Sequence, residues 1–211
     1  MKAPTTHDPQ DADPVASQAS GEITRSQRLK AATHGAHDAL DRRIMGANPF
    51  ASPEHYARFL QVQYRFHRDI DTLYRNAELA RIVPDLAARR RLTRIVDDLS
   101  DLGMTVTDDT FAPALTGDID CATALGWLYV AEGSNLGAAI LFKLAAKLGL
   151  NEHYGARHLA GHPEGRARHW REFTAALDGL RFVAVEEERT IAGAKAAFER
   201  VRSHVEREYG G

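Results

Sequence analysis

The stretch from residue 126 to 149, GWLYVAEGSNLGAAILFKLAAKLG, constrains this chain more than any other. It is apolar and long enough to be a central helix, yet it carries Gly126, Gly133 and Gly137. Glycine inside a helix costs about 1 kcal/mol relative to alanine, so three cost roughly 3 kcal/mol. At about 100° per residue, Gly133 and Gly137 fall about 20° to either side of Gly126. The three therefore share one narrow stripe, which implies that something approaches the backbone closely. A neighbouring helix on a small-residue groove is one explanation, and the segment alone favours it. The other is a flat ligand lying on bare backbone, with a kink at Gly133 or Gly137. Tyr129 lies about 60° from the stripe, which puts a phenol near its edge.

Helical periodicity extends over most of the remaining chain. Leu29, Thr33, His37, Leu40 and Ile44 share a face of a first helix ending near Gly46. Ser52-Pro53-Glu54 caps a second helix, with Tyr56, Phe59, Leu60, Gln63, Phe66, His67, Ile70 and Tyr74 inward. Pro84 is expected to open a third helix carrying Leu92, Ile95, Leu99 and Leu102 up to Gly103, followed by a loop over 104–117. The glycine-bearing helix is expected over 119–148 with Gly149 as its stop. A His- and Gly-rich loop (151–162) and helices over 164–178 and 184–208 complete the chain, the last with Ile191, Phe198, Val201 and Val205 as its stripe. No alternating run argues for a sheet, so the fold class is all-α in one domain, 23–211. Residues 1–22, rich in Pro, Asp, Ser and Ala, read as a disordered leader.

Several classes of function are disfavoured. A formal net charge of −2 gives no electrostatic case for nucleic acid or anionic membrane. Glu132, Asn135, Lys143 and Lys147 interrupt the long apolar segment, each expensive in lipid, so it is not a span. The lone Cys121 cannot form an internal disulfide, and the start of the chain lacks a signal peptide's apolar run. The expected location is cytoplasmic. No Glu has a His three residues later, which removes the carboxylate-bridged di-iron bundle pattern. HExxH, CxxCH, GxSxG, GxGxxG and GxxxxGK[ST] are absent too.

Two clusters of polar residues on apolar faces carry the chemistry. His37 sits in the stripe of the first helix, and a buried histidine is usually a hydrogen-bonded core residue. Lys30, seven residues earlier, lies about 20° away on the wheel and about 10.5 Å along the axis. An imidazole with an ammonium at that distance suits a ligand with a metal centre and a carboxylate edge, the shape of heme. His34 points toward the polar side. Gln63 and His67 form an i, i+4 pair among aromatics, either a structural hydrogen bond or part of an ordered-water network. Arg89, Arg90 and Arg91 read as a basic surface run, and the loop residues His158 and His162 have no helical reason to face one metal.

In order along residues 28–209, LKAATHGAHDALD, FLQVQYRFH, GWLYVAEGSNLGAAILFK and GARHLAGHPEGRARHW closely resemble the bacterial heme oxygenases of iron acquisition. The resemblance implies one helical domain that holds heme b, as both substrate and cofactor, between a proximal and a kinked distal helix. His37 then matches the iron ligand, and Gly133, Ser134, Asn135 and Gly137 the distal stretch. Lys30 and Tyr129 match propionate-binding positions of one branch, which favours cleavage at the α-meso carbon. Lys143 matches a lysine that serves a rotated heme in another branch. Gln63, His67 and Arg91 match positions that organise distal water, with Arg91 turned inward and Arg89 and Arg90 on the surface. The implied reaction yields biliverdin, carbon monoxide and ferrous iron from heme and O2. Without a nicotinamide or flavin motif, electrons must come from a ferredoxin- or flavodoxin-type reductase system, with the protein itself a monomer. A carrier or sensor that binds heme without degrading it is the rival on the same fold, and a cofactor-free interaction module is the second.

Overall fold

A computed structural model describes residues 23–106, 112–116, 118–162 and 164–210. Among these, seven α-helices and short 3-10 turns account for the regular structure, with only isolated bridges from Asn151 to Tyr154 and Gly155. The expected leader, 1–22, and part of the 104–117 loop (107–111 and 117) lie outside the described residues.

Local chemistry sets the helix ends. Helix α1 spans Arg25–Gly46, and the Thr24 hydroxyl accepts from the Gln27 amide while Gln27 reaches back to the Thr24 amide. Helix α2 spans Pro53–Asp69 behind the Ser52 cap. The third helix expected from Pro84 is not formed as one element. Instead α3 (Ala77–Ile82) and α4 (Leu92–Asp101) flank a 3-10 turn over Leu86–Arg89. Asp85 sits in the left-handed region at φ 53° and Arg90 is extended, so no helix can run through either. Helix α5 runs unbroken over Cys121–Ala146 from the Asp120 cap, and Gly149, at φ +82°, turns the chain after it. Gly133 and Gly137, where a kink is expected, both lie inside this helical run. Helices α6 (Arg166–Asp178) and α7 (Ala184–Tyr209) follow.

Gly126 makes the closest helix crossing. A Cβ there would fall on the Thr190 carbonyl oxygen and 2.7 Å from the Ala194 amide. A Cβ on Gly193 would fall on the Thr123 carbonyl in return. The first glycine of the stripe is therefore a packing residue that lets α5 and α7 touch backbone to backbone.

Helix α5 belongs to two cores in succession. From Ala124 to Ala131 it is buried all round, packed with Leu29, Phe66, Phe173 and Val205. Farther along, Ala138 and Ala145 join Tyr56, Leu60, Ile95 and Leu99 in a second cluster. Gly133 to Gly137 lies between these clusters. Helices α1 and α5 both pack on α6 and α7 and scarcely on each other. The fold thus leaves α1 and α5 as separate walls joined through common neighbours.

Candidate functional site

On α1, Thr33 and Leu40 are buried as their stripe requires, but His37 between them has its side chain 57% exposed. Its ring meets the Phe198 ring of α7 edge-on, with centroids 6.0 Å apart. Nδ1 lies 3.4 Å from an Asp41 carboxylate oxygen and 3.6 Å from one of Asp38. Nε2 has no described partner. An apolar-stripe histidine with one nitrogen beside carboxylates and the other open is suited to ligate a metal in a bound group.

On α5, the glycine stripe divides by role. Gly133 faces the Trp170 ring, which a Cβ would meet at an ordinary 3.6 Å, and Gly137 has nothing within 4 Å of a Cβ position. Leu136 and Ile140, both beside Gly137 on the helix surface, are 44% and 69% exposed. Bare backbone flanked by uncovered apolar side chains is a surface for a flat apolar ligand. Ser134 is exposed and its hydroxyl donates back to the Ala131 carbonyl at 2.7 Å. Asn135 is buried, its carbonyl and side-chain oxygens accepting from Arg166 at 3.1 and 3.3 Å. Arg166 also donates to the Leu159 carbonyl, fastening α5 to the loop before α6.

Lys30 is exposed on α1 and Lys143 on α5. Tyr129 is buried against Trp170, ring centroids 5.5 Å apart, and burial with the nearby Asp178 charge raises its pKa. Gln63 is half-buried on α2, one turn before the buried His67. The His67 Nδ1 has no hydrogen-bond partner, and burial, followed by the charges of Arg91 and His158, holds its pKa well below the usual 6.5. Arg91 does turn inward, donating to the His158 carbonyl at a long 3.4 Å, and burial lowers its pKa.

The other two arginines correct the surface reading. Arg89 is buried, bonding Glu132 at 2.8 Å, the Pro84 carbonyl at 2.8 Å and the His169 carbonyl at 3.3 Å. Arg90 is half-buried and pairs with Asp71 at 2.5 Å. Glu132, expensive in an apolar helix, required such a partner; that was the available signal. Burial raises its pKa, with Arg89 opposing. His158 was likewise missed as a buried group: its Nδ1 is 2.8 Å from Asp98, which also accepts its amide, while Nε2 is unpartnered. His162 stacks on His169 instead, so the two loop histidines serve different places. Among the described residues no cluster of His, Cys, Asp and Glu forms a metal site.

A seven-helix domain with an open histidine on one wall and bare glycine backbone on another belongs to the heme oxygenases: the sequence model of that family (Heme oxygenase) matches residues 24–207. Heme oxygenase PigA of Pseudomonas aeruginosa is 44% identical over 197 residues, covering 93% of this chain and 99% of that one. A heme oxygenase from Neisseria meningitidis, solved with NO and CO bound, superposes with a TM-score of 0.83 at 42% identity. That match covers 90% of this chain and 94% of the other. A heme oxygenase from Leptospira interrogans shares the fold at a TM-score of 0.69 and 19% identity, covering 88% of this chain and 100% of its own. Heme as substrate and O2 as co-substrate follow from the family. No helix among the described residues is long and apolar enough to cross a membrane.

Proposed function

We propose that this chain opens heme to biliverdin, carbon monoxide and ferrous iron, with the heme held between α1 and α5. The observation that carries this reading is the uncovered pair of walls: His37 is open on α1, and Gly137 is bare beside exposed Leu136 and Ile140 on α5. These residues fit the group, because a single imidazole nitrogen is free on one side and nothing stands above the Gly137 backbone on the other. Heme, when bound, supplies both the iron that takes up O2 and the macrocycle that is oxidised. His37 Nε2 would hold the iron, an imidazole nitrogen being a ligand type that suits O2 uptake by heme. Bare backbone at Gly133 and Gly137 would keep bulky and acidic side chains away from the face of the bound group.

The distal proton is delivered through water ordered by Gln63, His67 and Arg91. With its depressed pKa, His67 is neutral near pH 7, so it positions water instead of acting as a standing cation. Arg91 supplies the charge that draws such water inward. Lys30 and Tyr129 would hold the propionates of a heme seated for α-meso cleavage, and Lys143 would serve a rotated seating. Electrons come from a ferredoxin- or flavodoxin-type reductase that docks transiently on the cytoplasmic monomer.

Heme titration followed by reductant and O2 tests the reading. The enzyme loses its Soret band and releases a bilin, whereas a carrier keeps a stable heme spectrum. His37→Ala removes the imidazole-ligated spectrum in either case and leaves an interaction module unchanged.

A further inference from the structure

Behind the distal stretch of α5 lies a small, partly open cavity of about 30 Å³, lined by Arg89, Arg91, Arg94, Asn135, His162 and His169. We propose that this cavity is a binding site for a small monovalent anion of the halide class.

Donors dominate its lining. Arg89 Nη2 and His169 Nε2 are both buried without a hydrogen-bond partner. His169 Nδ1 lies 3.4 Å from the Arg89 Nη1 donor, so Nδ1 accepts and Nε2 carries the unpaired hydrogen. His162 Nδ1 accepts from the Glu164 amide at 3.2 Å, which leaves its Nε2 as a donor too. The one lining side-chain amide, Asn135, already has its oxygen on Arg166.

Charge points the same way. Glu132 bonds Arg89 at 2.8 Å, lies 3.8 Å from His169 Nδ1 and its charge also acts on Arg91, while no described ion pair gives Arg94 or Arg166 a carboxylate. The arginines here outnumber the one buried carboxylate beside them, Glu132. Burial and the neighbouring Arg89, His162 and Arg91 charges push His169 down to about 4, as expected for a site of positive potential. Both orphaned groups at the cavity, Arg89 Nη2 and His169 Nε2, are donors, and an anion only accepts. One water-sized probe occupies about 10–15 Å³, so the space takes at most about two such species and excludes phosphate-sized anions. An anion here ties Asn135 of α5 to the 89–94 segment and neutralises charge beside Arg91.

The test uses the full chain without heme, so that no anion can bind iron. Chloride or bromide at constant ionic strength should raise the melting temperature saturably over gluconate, as linkage requires. Bromide-soaked crystals should show an anomalous peak within hydrogen-bond reach of Arg89 Nη2 and His169 Nε2. Arg94→Gln, at an exposed position that tolerates change, and His169→Gln should each weaken the chloride effect at least about tenfold, as expected for one lost charge-assisted bond. Equal melting in chloride and gluconate, with water alone in the cavity, would overturn the proposal. So would a chloride effect that both variants leave unchanged, since the ion would then bind elsewhere.

Discussion

Alanine at Gly126 and at Gly137 should move stability in opposite directions, although both glycines lie on one stripe of one helix. Either change gains about 1 kcal/mol in helix propensity. At Gly126 the new methyl falls on the Thr190 carbonyl and 2.7 Å from the Ala194 amide, both backbone atoms of a packed helix. Overpacking costs about 1–3 kcal/mol, and rigid backbone puts this site at the upper end. The net loss is about 2 kcal/mol, which at roughly 2–4 °C per kcal/mol lowers the melting temperature by about 4–8 °C. At Gly137 nothing lies within 4 Å, so the propensity gain stands alone and the heme-free protein melts about 2–4 °C higher. The same methyl stands on the proposed distal face, so Gly137→Ala should slow heme turnover while stabilising the empty protein. Differential scanning calorimetry of heme-free samples reads the two signs. A Gly126→Ala protein that melts higher, or a Gly137→Ala protein that melts lower, would refute the division of the stripe into a packing half and a ligand half.

Other perturbations follow from the same geometry. Arg89→Met strands Glu132 in the core and should cost about 3–5 kcal/mol in urea unfolding, most of which Arg89→Met/Glu132→Leu recovers; equal loss in both would count against a buried ion pair. His67, His158 and His169 all have native pKa values below 6.5, mainly through burial. Below pH 6.5 the unfolded chain takes up protons that the native histidines refuse. Their contribution is therefore full above pH 6.5 and lost as pH falls toward about 4, the His169 value. His169→Gln should flatten the melting-temperature profile across that window, and an unchanged slope would contradict the assignment. Gly137→Asp should divert turnover from bilin formation to oxidation of a peroxidase dye, because an acidic group then stands over the bare backbone; an undiminished bilin yield would count against backbone control of that face.

Much of the fold was readable because its signals are local. The Ser52 cap and the Gly149 turn each act within a few residues, α1 ends at Gly46, and α5, α6 and α7 fall near their expected bounds, whereas α2 stops at Asp69 and leaves the expected Tyr74 in a 3-10 turn. The stretch from Pro84 to Gly103 was misread as one helix and α3 (Ala77–Ile82) was not anticipated, since the left-handed Asp85 and extended Arg90 have no strong local marker. The same distance problem hid Arg89, whose partner Glu132 is 43 residues away in sequence. Periodicity placed His37 on a buried stripe, and it could not show that this position opens to solvent while Thr33 and Leu40 close. It aligned Gly126 with Gly137 equally well, although only the Thr190 and Ala194 backbone distinguishes a helix crossing from an open ligand face.

The central claim is that heme bound through His37 is opened by this chain, and a single-turnover reaction tests it most directly. The heme complex, given reductant and O2, should lose its Soret band and yield free iron with one dominant biliverdin isomer, the α isomer by chromatography. The His37→Ala protein should lose the imidazole-ligated spectrum and that turnover together. A wild-type complex that holds its heme spectrum through repeated reduction in O2, with no bilin released, would contradict the account.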